Sequence, residues 1–254
     1  MLDVAGRQAV LVRGSATEVS PFRILTTGAT RRFAVVRRPP HSADVGVGCR
    51  PMAIVLYHCR DARSLRPLWT LEEMGLEYEL RTLPFPPRVL QRDYLEVNPL
   101  GTVPYMIDGD VRMSESSAIC HYLVARYGPT PLAVSVSEPD YGAYLNWLYF
   151  SDATLTFPQT VYLRYTALEP EERRLPQAAE DYKRWFAGRV RAVETATGDR
   201  QFLCAGRFTI ADICIGYSLH LATTIGLSAC LGPNATRYID LLRTLPSYQR
   251  ATSR

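Results

Sequence analysis

Two groups of residues within 98–123, NPLGTVPYMIDGDVRMSESSAICHYL, could do chemistry together. Val103-Pro104 opens what reads as a strand, a place where backbone can be offered to an extended peptide. Ser114, Glu115 and Ser116 stand at the mouth of a helix. Free N–H groups and the helix dipole favour an anion there, and the Glu115 carboxylate can pair with a cation. The combination can hold a small peptide by its backbone and by one charged end.

These groups need elements to position them. Residues 53–57 read as a short apolar strand, and 63–74 as a helix carrying Leu65, Leu68, Trp69, Leu71 and Met74 at helical spacing before Gly75. Residues 78–83 alternate as a strand, Pro84, Pro86 and Pro87 impose an extended loop, and 89–97 form a short helix. A hairpin of 103–107 and 111–113 turns at Asp108-Gly109-Asp110, and 115–127 is a helix. The order βαβ, α, ββα predicts a small mixed sheet flanked by helices. Residues 128–137, GPTPLAVSVS, have linker composition. Helices follow at 140–157, 171–197, 209–224 and 237–245, the third opened by a structural capping box at Thr209 and Asp212. The expected fold class is α/β plus all-α, with a small domain over 52–128 and a helical domain over 138–254.

The formal net charge of +4 is concentrated at the front. Residues 1–51 carry eight Arg against Asp3, Glu18 and Asp44, so basicity gives no reason to expect a nucleic acid partner for the rest. The preferred reading of this stretch is that the natural start is Met52; a disordered tail and a targeting segment are the alternatives. No apolar run approaches the roughly 20 residues of a membrane span. The six cysteines show no C-x-x-C and no metal-ligand spacing, which points to free buried thiols in a cytoplasmic protein and to no metal. His58, His121 and His220 are isolated and read as packed. Tyr149, Phe150 and Phe157 read first as core and second as an acceptor wall.

From Met52 onward the chain resembles the cytosolic glutathione S-transferases, of bacterial type. The resemblance rests on Asn98-Pro99, Gly101, Val103-Pro104, Glu115-Ser116, Ala118-Ile119 and Tyr122-Leu123, on LYHCRDARSLRPLWTLEEMGLEYE over 56–79, and on FTIADICIG over 208–216. It implies a thioredoxin-like domain followed by a helical domain, and a cytoplasmic homodimer active in detoxification. It also implies glutathione as co-substrate and an apolar electrophile as acceptor.

The resemblance further implies a cis Val103-Pro104 bond that presents Val103 to the cysteinyl backbone of glutathione. Glu115 and Ser116 would take the γ-glutamyl end and Thr102 the glycyl end. A thiolate must also be stabilised, because a free thiol of pKa near 8.5 is only a few per cent ionised at neutral pH. In the family a Ser, Tyr or Cys does this at the start of the first helix. Here Ala62 and Arg63 occupy the matching positions, and Cys59 stands too early. Ser64 is the nearest hydroxyl, either a donor to the thiolate or merely a helix cap, and Arg63 could supply positive charge. Three functions stay open: conjugation, glutathione-dependent reduction of disulfides or peroxides, and non-catalytic glutathione binding or regulation.

Overall fold

The computed structural model describes residues 54–254, which lie within one compact unit. The extension over 1–51, and with it the question of Met52, lies outside the described residues. The apolar run IVLYH forms β1 (Ile54–His58), whose side chains are almost wholly buried. Strand β2 (Tyr78–Thr82) pairs parallel to it, Tyr78 opposite Ile54. Strand β3 (Tyr105–Asp108) runs antiparallel along the other side of β1, and β4 (Val111–Met113) closes the edge, giving the order β2-β1-β3-β4. Helix α1 (Leu65–Met74) makes the crossover from β1 to β2 and ends at Gly75 in left-handed conformation. Pro84 and Pro86 lie in the expected loop, Pro86 with extended backbone, whereas Pro87 starts a turn of helix. Pro87 opens α2 (Pro87–Leu90), where its missing N–H costs nothing, and α3 (Tyr94–Val97) follows after a break.

Helix α4 (Ser116–Arg126) follows β4, and from Tyr141 onward the described chain is helical. The aromatic helix runs well past Phe157, through α5 (Tyr141–Phe150) and α6 (Phe157–Leu163). It widens to π geometry over Ser151–Thr156 and Arg164–Leu168. Pro158 cannot donate to the Thr154 carbonyl and its ring crowds that oxygen, so the ladder slips just before it. Helix α7 (Pro176–Ala196) and α8 (Ile210–Thr224) come next, α8 with its capping box formed as expected. Helices α9 (Pro233–Arg243) and α10 (Pro246–Thr252) complete the chain, each opened by a proline. Helix α9 thus starts four residues earlier than the expected 237–245, and α10 is an addition to the expected set. The mixed sheet and the helical region together bear out the α/β plus all-α expectation.

Helix α1 joins the two regions, packing on α4, α8 and α10. Trp69, fully buried, donates from Nε1 to Ser247 Oγ at 3.0 Å and packs edge-on against Tyr248. Gly216 of α8 permits this approach: a Cβ there would lie 3.1 Å from the Trp69 ring and 2.8 Å from Leu242. Cys59, Cys120, Cys204 and Cys214 are free and buried, and Cys230 is free and partly exposed.

Candidate functional site

The loop entering β3 is built by Asn98 and Tyr94. Asn98 Nδ2 and the Tyr94 hydroxyl both donate to the Thr102 carbonyl, at 2.9 and 2.8 Å. Asn98 Oδ1 accepts from Leu100 N, and Gly101 takes a positive φ of 59° where a Cβ would strike Arg88. This explains the spacing N-P-x-G-x-V-P: each part holds the next residue in place. The Val103–Pro104 bond is cis. Among the described residues the Val103 N–H and C=O find no hydrogen-bond partner. Pro104 is buried behind them, and Thr102 is exposed.

A cleft of about 640 Å³ lies beside this loop. Arg60 to Arg63, Phe85, Thr102 and Val103 wall one side. Leu163 and Leu168 of the long helix and Tyr217, Leu221 and Ile225 at α8 wall the other. Of the residues expected at the site, Arg63, Thr102 and Val103 therefore meet here. Arg63 reaches across and donates from Nη2 to Thr160 Oγ1 at 3.0 Å.

Ser64 does not join them. It is fully buried, with Oγ 2.9 Å from His58 Nδ1 and accepting from Cys59 N at 3.2 Å. It stands at the N-cap position of α1 but makes no side-chain cap. Burial pushes the His58 imidazole down to about 4, against smaller upward pulls from Asp61 and Ser64, so the ring is neutral at physiological pH. Burial also pushes the Cys59 thiol up to about 11, which keeps it protonated. Tyr149 and Phe157 are neither core nor acceptor wall: both are exposed and outside the cleft, 69% and 48% accessible.

Glu115, not Ser114, is the N-cap of α4, in extended conformation and exposed. Ser116, buried in the first turn, accepts from Arg66 Nη1 at 2.9 Å. Arg66 is the residue that sequence reasoning missed. Fully buried, its guanidinium also donates to Asp152, to the carbonyls of Cys214 and Ser151, and to the hydroxyls of Thr156 and Ser218. The π turn before Pro158 gathers Ser151, Asp152 and Thr156 around it. Burial pushes the Asp152 carboxyl up, but Arg66 and a hydrogen bond from Ser117 outweigh it and hold it below the ordinary carboxylate value. A lone acid in the aromatic run YLNWLYFSDATLTF was the available signal. Arg66 in turn lies over the Tyr217 ring, 4.7 Å from its centroid, and so links the α4 terminus to the cleft.

The described residues contain no cluster of His, Cys, Asp and Glu able to hold a metal ion and no helix long and apolar enough to cross a membrane. Residues 62–126 match the family model of the glutathione S-transferase N-terminal domain. Over these residues the chain is similar to the glutathione S-transferases. Glutathione S-transferase 3 of Schizosaccharomyces pombe is 36% identical over 104 residues, 40% of this chain and 42% of that protein, so the match spans less than half of this relative. Glutathione S-transferase Z2 of Arabidopsis thaliana is 26% identical over 202 residues, covering 75% of this chain and 85% of its own. Among solved structures, the glutathione transferase URE2P8 from Phanerochaete chrysosporium superposes with a TM-score of 0.68 at 20% identity, covering 79% of this chain and 93% of its own. That likeness shows the fold: a thioredoxin-like domain and a helical region typical of glutathione S-transferases. These relatives do not distinguish a bacterial type within the glutathione S-transferases.

Proposed function

We propose that this chain is a glutathione transferase that joins the glutathione sulfur to an apolar electrophile. One observation carries the reading: unpaired backbone at Val103 and an apolar helical wall face the same 640 Å³ cleft. The cysteinyl backbone of glutathione would pair with Val103, beside Pro104, and its glycyl end would lie near Thr102. The γ-glutamyl carboxylate would take the free N–H groups at the start of α4 and the Ser116 hydroxyl, whose own proton stays available while its oxygen accepts from Arg66. Exposed Glu115 would pair with the α-ammonium. The acceptor would lie along Leu163, Leu168, Leu221 and Ile225, with Arg63 adding positive charge near the sulfur. Ser64, turned inward to His58, drops from this scheme as the thiolate donor. The domain limits 52–128 and 138–254, a homodimeric assembly, a cytoplasmic location and a detoxifying role belong to the same proposal.

A hydroxyl missing at Ala62 favours a second reading, in which the protein reduces disulfides or peroxides with glutathione or binds it without turnover. Purified protein assayed with glutathione and halogenated aromatic, hydroxyethyl disulfide and hydroperoxide acceptors separates the three. Conjugation of the aromatic supports the proposal. Turnover of disulfide or peroxide alone, or binding with no turnover, replaces it.

A further inference from the structure

Resting on the glutathione reading above, we infer that the Tyr217 hydroxyl, offered from the helical region, donates to the glutathione thiolate in place of the hydroxyl absent at Ala62. The inference comes from comparing the hydroxyl groups that line the cleft: Thr102, Thr160, Thr166, Tyr217 and Thr224. Three of them are already committed to their own helices. Thr160, Thr166 and Thr224 each donate to the carbonyl four residues back, at 3.0, 2.9 and 3.0 Å. Thr102 stands next to Val103, on the side assigned to the glycyl end. Thr160 also accepts from Arg63, but Tyr217 alone among these five donates its hydroxyl proton to the loop that precedes α1.

Its only hydrogen-bond partner among the described residues is the Asp61 carbonyl, at 3.4 Å, a distance at which little energy is at stake. The proton can be turned to a better acceptor at small cost. Asp61 immediately precedes Ala62, so the hydroxyl addresses the peptide unit that leads into the position where a serine in place of Ala62 would act, and both residues line the same cleft. The ring is held in place. It is 2% exposed, and the buried Arg66 guanidinium sits over its face. The loop it addresses is held as well. Asp61 takes a positive φ of 57°, and its carboxylate meets His220 Nε2 at 2.9 Å, while His220 Nδ1 lies 2.8 Å from the Tyr248 hydroxyl.

Charges around the ring suit a donor. Arg66 and Arg63 face it with Asp152 and Asp61. Burial pushes the Tyr217 phenol up to about 12, the arginines opposing, so it keeps its proton throughout the physiological range. No proton passes between the two groups. The thiol proton leaves to water, the anion remains on sulfur, and Tyr217 hydrogen-bonds to it while the sulfur attacks the halogen-bearing carbon of the aromatic acceptor; the C–S bond forms, the C–halogen bond breaks and halide leaves to solvent. Arg63 adds its charge nearby.

The test uses four forms of the full chain: parent, Tyr217→Phe, Ala62→Ser, and the double variant. Glutathione affinity is read by calorimetry, the bound thiolate by its ultraviolet absorbance against pH, and kcat with a halogenated aromatic acceptor. Tyr217→Phe keeps the ring under Arg66 and should bind glutathione as the parent does. Its thiol pKa should rise, and kcat near pH 7 should fall about tenfold, the change in thiolate fraction for a shift of about one unit. In the double variant the hydroxyl introduced by Ala62→Ser should restore most of the thiolate signal and of kcat, a rescue that a purely structural role for Tyr217 would not show. A parent that binds glutathione and a Tyr217→Phe form with unchanged thiol pKa and kcat overturns the inference and leaves the glutathione reading standing. A parent that does not bind glutathione overturns both.

Discussion

Arg66 Nη1 donates to Ser116 Oγ at 2.9 Å, tying the first turn of α1 to the first turn of α4. The two residues are 50 positions apart and both buried. A helix mouth that could hold an anion is thereby fixed against the core through a charge that has no contact with water.

That charge is balanced by Asp152, whose side chain is 26% exposed against none for Arg66. Arg66→Met should lower unfolding stability by about 3–5 kcal/mol, because the partner charge is left partly buried and unpaired. Arg66→Met with Asp152→Asn should recover part of that loss. Urea unfolding midpoints of the parent, both single variants and the double variant measure this. Additive losses would show that the pair is not coupled.

Acid should weaken the same junction. The folded-state pKa of Asp152 lies below its ordinary value of 3.8. A lowered carboxyl contributes stability that is fully present above the unfolded value and is lost as pH falls from there through the folded one. Stability measured by denaturant against pH should therefore drop below about pH 4, and the drop should be shallower in Asp152→Asn. Parallel curves would refute the assignment.

Ser64 and Ala62 should behave in opposite ways. Ser64→Ala removes an inward hydrogen bond to His58 and should cost about 1 kcal/mol of stability, with kcat changed by no more than about twofold. Ala62→Ser adds a hydroxyl at the cleft and should raise kcat without altering stability. A large fall in kcat for Ser64→Ala would return that residue to the thiolate.

Glutathione affinity should respond to the two anchoring segments. Ser116→Ala removes a hydroxyl from the α4 terminus and should raise the glutathione KM about tenfold, the worth of one hydrogen bond to a charged group. Gly101→Ala drives a Cβ to 2.6 Å from Arg88 Cβ and must displace Thr102 and Val103, so KM should rise more than kcat falls. Steady-state kinetics at varied glutathione give both values. Unchanged KM in both variants would remove these segments from the site.

The features legible in the sequence were the local ones. Alternation gave β2, and helical spacing gave α1 within two residues of its start. The Thr209 and Asp212 cap was readable because both its hydrogen bonds span three residues or fewer. Pro233 and Pro246 hid the starts of α9 and α10, since a proline at the first helical position looks like a break in one dimension. The direction of Ser64, the fate of Arg66 and the presence of Tyr217 at the cleft could not be read in the same way. Ser64 turns to His58 and Cys59, within six residues of it, but only once the loop folds back on β1; Arg66 and Tyr217 depend on which helix packs over α1, with partners up to 156 residues away.

The distribution of Arg66's partners bears on how the two regions could be recombined. Ser116 is the single partner within the sheet-bearing region; Ser151, Asp152, Thr156, Cys214 and Ser218 all come from the helices that follow. A chimera joining the first 128 residues to the helical half of a distant relative would have to supply this five-point socket anew, carboxylate included. Without it the graft would seal a bare cation at its seam. The junction behaves as a lock cut for one key, so domain shuffling here must carry the socket residues along with Arg66.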